Sequence, residues 1–193
     1  MPLVRTATLL MEEHVDEDTI LTFPNMSTCT AVVITVGDTM IGGHFTIDQA
    51  TTVATQQKGT KKVIQRMLNR LGARKADRLT IVGFNTNHNP KVIAQALGFG
   101  SQGNYPNAAI EAYDIAGLVR GYGNTVLTFV SRGRDVTPQV DYKRESKTSR
   151  SELKTNPKMT SENLWDGRKY EVSINNTPHY LRRHFTDLRT QVG

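Results

Sequence analysis

The segment STCTAVVITVGDTMIGGHF, residues 27–45, decides the fold. A β-branched run follows Cys29, a second apolar run leads to His44, and a Gly-Asp pair separates the two runs. Two such runs joined by a two-residue turn are typical of a β-hairpin. The predicted hairpin pairs Val32–Val36 with Met40–Phe45, and it therefore places Cys29 across from the neighbourhood of His44.

Cys29 and His44 have two interpretations. A neighbouring imidazole can take the thiol proton, and the thiolate then attacks a carbonyl carbon to form a covalent intermediate. However, a single cysteine at the start of a strand is also typical of a small buried hydrophobic residue, and a histidine beside glycines is typical of a polar turn residue. The residue types and their spacing leave both interpretations open.

The composition indicates one globular domain with tails. The chain has 193 residues, of which 37% are hydrophobic and 22% charged, which is enough for one core. No stretch is apolar enough for a membrane span, and Met1–Val15 lacks the regions of a secretory signal. The single cysteine excludes an internal disulfide. We therefore expect no membrane span and a site of action in a cytosol, either that of the producing cell or that of a target cell.

The net charge of +6 is unevenly distributed. The first twenty residues are acidic, whereas Lys58–Arg78 is basic and carries apolar residues at helical spacing. A solvent-exposed basic helix face is the common explanation, and the chain lacks the zinc-finger spacing and the alternating aromatic and basic residues of nucleic-acid binders. The sequence thus disfavours nucleic acid as a partner. The histidines show no metal-ligand spacing, so we expect neither a metal nor a cofactor.

Beyond the hairpin, the periodicity of apolar residues predicts alternating helices and strands. The predicted elements are a helix from about Thr52 to Leu71, a strand over Arg78–Phe84, a helix beginning at Pro90, a helix from about Asn107 to Val119, and a strand over Thr125–Ser131. This order predicts an α/β or α+β domain, with a mixed or antiparallel sheet or a β-sandwich flanked by helices.

Composition divides the chain into three parts. An acidic segment covers residues 1–19, the predicted catalytic domain covers residues 20–133, and a basic arm covers residues 134–193. The first part of the arm, Arg134–Glu162, has few apolar residues to bury and is typical of a mobile linker or an extended surface arm.

The rest of the arm carries weak patterns of regular structure. Trp165–Ile174 alternates as in a strand, and Tyr180–Leu188 is typical of a short basic helix. The arm has three interpretations, which are a partner-binding segment, a secretion signal, and a strand that covers the edge of the sheet.

The residues around Cys29 and His44 resemble the catalytic core of the CheD-like and cytotoxic-necrotizing-factor-like protein glutamine deamidases. In that superfamily a small-residue turn ending in cysteine opens an apolar strand and a histidine follows on the next strand, as in Ser27–Val33 and Ile41–Phe45. The later elements run in a similar order, so the resemblance extends over about Ile20–Arg132. It implies that Cys29 is a nucleophile and His44 a base.

The chain departs from the pattern of that superfamily at three points. Thr28 stands where a glycine is usual, the histidine follows the glycine pair directly, and the threonine expected six residues before the cysteine falls on Phe23. A one-residue bulge at Pro24 and Asn25 would restore the register of Thr22. Thr22 is therefore the predicted third catalytic residue.

The resemblance implies a hydrolase that converts a glutamine of a partner protein to glutamate. The thiolate of Cys29 attacks the side-chain amide, ammonia leaves with a proton from His44, and water hydrolyses the thioester. The predicted oxyanion donors are the backbone N–H groups of Thr28 and Cys29 in the turn, together with the hydroxyl of Thr22 or Ser27. Losing such a donor costs on the order of a hundredfold in rate.

Two further residues are predicted to contact the substrate. They are Gly43 and His88, although a turn histidine such as His88 is also typical of a solvent-facing position. Transglutamination uses the same acyl-enzyme and stays open, as does the choice between a bacterial toxin or effector and a housekeeping enzyme. The alternative from another class is a non-catalytic basic domain that binds an acidic protein or nucleic acid.

Overall fold

The computed structural model describes residues 3–84, 87–115, 124–145, 169–174 and 185–187. These residues form eleven strands in two mixed sheets together with two helices, which is an α+β fold as the sequence predicts. The strands are β1 (Leu3–Leu9), β2 (Val15–Asp18), β3 (Ile20–Met26), β4 (Thr30–Val36), β5 (Thr39–Phe45), β6 (Arg78–Gly83), β7 (Ala109–Asp114), β8 (Asn124–Val130), β9 (Gln139–Glu145), β10 (Lys169–Ile174) and β11 (Phe185–Asp187). The helices are α1 (Lys58–Leu71) and α2 (Pro90–Ala96).

The strands divide into a five-stranded and a six-stranded sheet. The five-stranded sheet has the order β10-β1-β3-β8-β9, and the six-stranded sheet has the order β11-β7-β6-β4-β5-β2. The pairs β1–β3 and β6–β7 are parallel, and the other pairs are antiparallel. Strands from the two sides of each predicted domain boundary pair with each other. At residue 19, β2 before the boundary pairs with β5 after it, and at residue 133, β8 before the boundary pairs with β9 after it.

Two apolar cores lie on opposite faces of the six-stranded sheet. On β4, Ala31 and Val33 belong to the core between the two sheets, whereas Val32 and Ile34 belong to the core beneath the helices. Successive side chains of a strand point to opposite faces, so a central strand covered on both sides needs a continuous apolar run. This requirement explains the β-branched run after Cys29.

The predicted hairpin is confirmed. Val36 pairs with Thr39 around a two-residue turn, and Ala31 pairs with His44. Gly37 at the first turn position has φ of 60°, while Asp38 keeps a negative φ, the pattern of a type II′ turn. This turn holds the register that places position 44 opposite position 31.

The acidic and basic segments of the chain neutralise one another in part. Strand β2 lies at the edge of the six-stranded sheet, beside α1. Arg70 forms an ion pair with Asp16 at 3.2 Å, and Arg74 forms one with Glu17 at 2.6 Å. Arg66 also donates to the carbonyl of Glu13. The basic face of α1 is therefore partly occupied within the chain.

The predicted helix over 107–119 is wrong where the structure describes it. Residues Ala109–Asp114 form β7, which pairs with β6 on one side and with β11 on the other. Ile110 and Ala112 lie in the core beneath the helices. Glu111, which stands between these two residues in the sequence, forms an ion pair with Arg78. Pairing with two neighbouring strands outweighs the weak helical spacing, because strand formation depends on tertiary context.

The start of α1 differs from its prediction as well. The helix begins at Lys58 rather than Thr52, because Thr52 and Thr55 hydrogen-bond each other's hydroxyl and backbone groups in a turn. Such local side-chain bonds compete with helix formation. The predicted helix at Pro90 is confirmed, with Asn89 as its N-cap residue.

The basic arm contains strands where a linker and a helix are predicted. Gln139–Glu145 forms β9 instead of a mobile segment, since seven residues pair with β8. Phe185–Asp187 pairs with β7 as β11 rather than forming a helix. The predicted strand is confirmed over Lys169–Ile174, where β10 covers the edge strand β1. Residues 146–168, 175–184 and 188–193 of the arm lie outside the described residues.

Candidate active site

Cys29 lies in the bend that joins the two sheets, one residue before β4. Upstream of this bend, β3 and β8 change register between Phe23 and Met26, and Asn25 adopts a left-handed conformation with φ of 56°. This is the one-residue bulge predicted at Pro24 and Asn25. The bulge lets β3 leave the five-stranded sheet and the chain enter the six-stranded sheet at Cys29.

The structure does not bring Thr22 to the predicted pair in spite of the bulge. The Thr22 hydroxyl is 3.1 Å from the hydroxyl of Thr128 on β8. Its neighbour Phe23 belongs to the core between the sheets, so Thr22 points to the other face of the five-stranded sheet. From this strand the Phe23 ring contacts the imidazole edge-to-face, with its centroid 5.9 Å from that of His44.

Cys29 and His44 share one face of the hairpin. Cys29 belongs to the core between the sheets together with Ala31, and Ala31 lies directly opposite His44. Cys29 is thus a diagonal neighbour of His44, and such positions lie about 7–8 Å apart between backbones. The thiol side chain is 4% exposed and the histidine is 0% exposed. The two side chains are not hydrogen-bonded to each other, since Nδ1 of His44 binds the carbonyl of Leu10 and Nε2 has no partner.

His44 is a neutral base with a free acceptor. Its Nδ1 atom is 2.7 Å from the carbonyl oxygen of Leu10, and a carbonyl oxygen only accepts, so Nδ1 carries the proton. Burial lowers the pKa of His44 to about 4, chiefly by desolvation, and the ring is therefore neutral at pH 7. The other nitrogen, Nε2, is buried without a hydrogen-bond partner. It presents an unused lone pair to the core between the sheets.

The thiol of Cys29 is also neutral. Burial raises its pKa to about 11, and the nearby carboxylate of Glu12 adds to this rise, while hydrogen bonds from Thr28 act in the opposite direction. A thiol and an imidazole of this kind do not form a resting ion pair, because each holds its uncharged form at pH 7. Any nucleophilic attack by this thiol would therefore require the loss of its proton.

The loop between β1 and β2 completes the site, and sequence reasoning missed it. Leu10 supplies the acceptor for His44, and Glu12 lies near the thiol. The backbone of His44 donates to the carbonyl of His14, and the backbone of Glu13 donates to the carbonyl of His44. Nothing in the sequence signals these contacts, since they join segments that are about thirty residues apart and depend on the pairing of β2 with β5.

The two predicted substrate contacts lie elsewhere. Gly43 faces α1, and a methyl group added there would lie 2.5 Å from the sulfur of Met67. His88 is 3% exposed and binds the side chain of Thr30, which faces the helices, so His88 is on the far side of the sheet from Cys29. Neither residue is therefore placed to touch a substrate at the thiol.

Two of the predicted oxyanion donors, Ser27 and Thr28, directly precede Cys29 in the chain. Ser27 and Thr28 form the bend before it, both partly exposed, and Thr28 hydrogen-bonds the sulfur. The backbone N–H groups of such a bend are the kind of donor that stabilises a tetrahedral oxyanion.

Within the described residues, no three His, Cys, Asp or Glu side chains converge to hold a metal ion. In the same part of the chain, neither helix has the length and apolar character needed to cross a membrane.

Comparison of the chain with protein families, with curated proteins and with solved structures finds no match in any of the three. Function therefore has to be inferred from the residues and the geometry of the site itself.

Proposed function

We propose that the protein is a cysteine hydrolase that deamidates a glutamine side chain of a partner protein. The observation that carries the proposal is the buried Nε2 atom of His44, an acceptor without a partner, on the same hairpin face as the only cysteine of the chain. A buried acceptor without a hydrogen bond is costly, and a proton that arrives during catalysis is one explanation for such an atom.

The chemistry follows from the two neutral groups. As Sγ of Cys29 attacks the glutamine amide carbon, its proton passes to Nε2 of His44 and a C–S bond forms. His44 then returns the proton to the leaving nitrogen, the C–N bond breaks, and ammonia departs. Water attacks the thioester with His44 again as the base, the C–S bond breaks, and the products are glutamate and the free thiol.

The charge near the thiol suits this substrate and this product. Glu12 disfavours a negative charge at Cys29, so a neutral glutamine enters more easily than a glutamate. After hydrolysis the new carboxylate is repelled by the same side chain, which favours release. Ser27 and Thr28, which directly precede Cys29, are partly exposed and are the residues nearest in the chain to the thiol that a partner could contact.

The reaction needs a reduced thiol, so we place it in a cytosol, that of the producing cell or that of a target cell. A toxin or effector and a housekeeping enzyme would use the same site. Water as the second nucleophile gives deamidation, and a primary amine in its place would give transglutamination.

The test is ammonia release from a glutamine-rich protein such as casein, with mass spectrometry of the product. We expect a mass gain of about one dalton per converted glutamine, and a fall in rate of at least about a thousandfold in Cys29→Ala, since removal of a nucleophile has effects of this size or larger. Thr128→Val, which alters a buried hydroxyl of the other sheet, is the matched control and keeps its activity. Equal rates in wild type and Cys29→Ala would contradict the proposal.

A further inference from the structure

The turn at Asn87 and His88 holds both neighbours of Cys29 in the chain. The side-chain amide of Asn87 donates to the carbonyl oxygen of Thr28 at 3.3 Å. Nδ1 of His88 lies 2.8 Å from the hydroxyl of Thr30. The backbone is therefore tied immediately before and immediately after the cysteine, by two side chains that lie next to each other.

His88 also joins the open end of the hairpin. Its Nε2 atom is hydrogen-bonded to the carbonyl of Thr46, and a carbonyl only accepts, so Nε2 carries the proton. The neutral ring then accepts at Nδ1 from the hydroxyl of Thr30. Continuing the register of β4 and β5 places position 46 opposite position 29. One imidazole thus links the two backbone segments at the open end of the hairpin, next to Cys29.

The turn is itself anchored. The backbone N–H of Asp48 donates to the carbonyl of Asn87, and the carboxylate of Asp48 accepts from the backbone of Ala50 and of Gln57. Gln57 is the residue that precedes α1. Asp48 is 5% exposed. The contacts therefore run from the start of α1 through Asp48 and the turn to the bend at Cys29.

We propose that Asn87 and His88 are positioning residues that clamp the Cys29 bend and keep the thiol on the same face of the hairpin as His44. Both act through Thr28 and Thr30 and neither touches the substrate, because His88 lies on the helix side of the sheet. The clamp serves the deamidase site and in that sense rests on the proposed function. Its effect on the thiol does not depend on the reaction.

The test measures alkylation of Cys29 in the full-length chain by iodoacetamide at pH 8, followed by intact mass. Thr30→Val removes the hydroxyl that His88 binds, and Asn87→Ala removes the amide that binds Thr28. We expect each change to speed alkylation by about fivefold or more, because a lost hydrogen bond favours local opening of the bend. The two changes together should speed it further.

Two variants serve as controls. Thr30→Ser keeps the hydroxyl and should restore the wild-type alkylation rate to within about twofold. Thr128→Val removes a buried hydroxyl bond of similar kind in the five-stranded sheet and should leave the rate within the same limit. Casein deamidation gives a second readout, in which Thr30→Val lowers kcat and leaves KM unchanged.

Alkylation rates in Thr30→Val and Asn87→Ala that both stay within about twofold of wild type would overturn the clamp. An equal rise in Thr128→Val would overturn it too, since the effect would then reflect general stability. The proposed function fails by a different result, equal casein deamidation in wild type and Cys29→Ala. A failed deamidase and a failed clamp are therefore distinguishable.

Discussion

The two faces of the β4–β5 hairpin each bury a histidine next to the same bend, and the two histidines differ in one respect. His88, on the helix side, uses both ring nitrogens, one with Thr30 and one with Thr46. His44, between the sheets, uses one nitrogen with Leu10 and leaves the other without a partner. Burial is nearly equal, at 3% and 0% exposed, so burial does not explain the difference.

This difference distinguishes a histidine that supports the structure from one that can accept a proton. A histidine with both nitrogens bonded ties segments together and has no free lone pair, whereas a neutral histidine with a free Nε2 can accept a proton. Thr35 and Thr80 also bury hydroxyls without partners, but a hydroxyl is a poor base at neutral pH. His44 is therefore the group on this hairpin that is suited to take the proton of Cys29.

The largest expected effect on deamidation comes from the loss of the proposed base, His44. We expect His44→Gln to lower casein deamidation by on the order of a hundredfold or more, because a general base contributes at least that much. His88→Gln should lower it by about tenfold or less, through looser positioning alone. Ammonia release at saturating casein measures both. Losses of equal size in the two variants would remove the distinction between the histidines.

The second effect concerns the ionisation of the thiol. With the pKa of Cys29 raised to about 11, the alkylation rate should still be rising at pH 11, where half of the thiol is ionised, and should level off only above it. At pH 8 the folded chain should react on the order of a hundredfold more slowly than the chain in urea, whose thiol has the ordinary pKa. A plateau near neutral pH would show instead a resting thiolate, and the general-base mechanism would be wrong.

The third expected effect is the dependence of folding stability on pH. The pKa of His44 is lowered to about 4 in the folded chain, so the unfolded chain binds the extra proton first as pH falls from 6.5. The contribution of neutral His44 is complete above pH 6.5 and is lost towards pH 4, which lowers the free energy of unfolding by up to about 3 kcal/mol. His44→Leu cannot be protonated and should lose this dependence. Urea unfolding at several pH values measures it.

His88 gives a matched reference for that measurement. Its pKa is lowered by burial as well, while its bond to Thr46 and the charge of Asp48 act in the opposite direction. Its contribution is thus also lost as pH falls below 6.5. A His44→Leu curve as steep as that of wild type would assign the whole dependence to other groups.

The smallest effect compares adjacent glycines on the two faces of β5. A methyl group at Gly42 would meet Leu10, Leu21 and Phe23 at 2.6, 2.7 and 2.9 Å, whereas at Gly43 the only contact under 3.0 Å is the flexible thioether of Met67. Overpacking of this kind costs about 1–3 kcal/mol. We expect Gly42→Ala near the upper end and Gly43→Ala near the lower end, as measured by urea unfolding. The reverse order would mean that the His44 face is the more adaptable one.

The sequence alone predicts the hairpin and the placement of Cys29 and His44 on one of its faces. A two-residue turn at Gly37 holds the register, and the two-residue period of a strand then places positions 29 and 44 on one face. The helix at Pro90 and the strand over Arg78–Gly83 are also predictable, because their signals are local periodicity and turn chemistry.

Prediction from the sequence fails where pairing is distant in the chain. Residues 109–114 carry a weak helical spacing, and only the neighbouring strands β6 and β11 decide that they form β7. In the same way, the bulge was predictable at Asn25, but the face on which Thr22 lies was not, since it depends on the pairing of β3 with β8.

The sequence by itself determined a cysteine and a histidine on one face of a hairpin, because turn length and strand period are local properties of the chain. Only the tertiary structure decided that this face is buried between two sheets, that Leu10 fixes the tautomer of His44, and that His88 binds the opposite side of the bend. These features require contacts between segments about thirty to sixty residues apart, and long-range packing determines them.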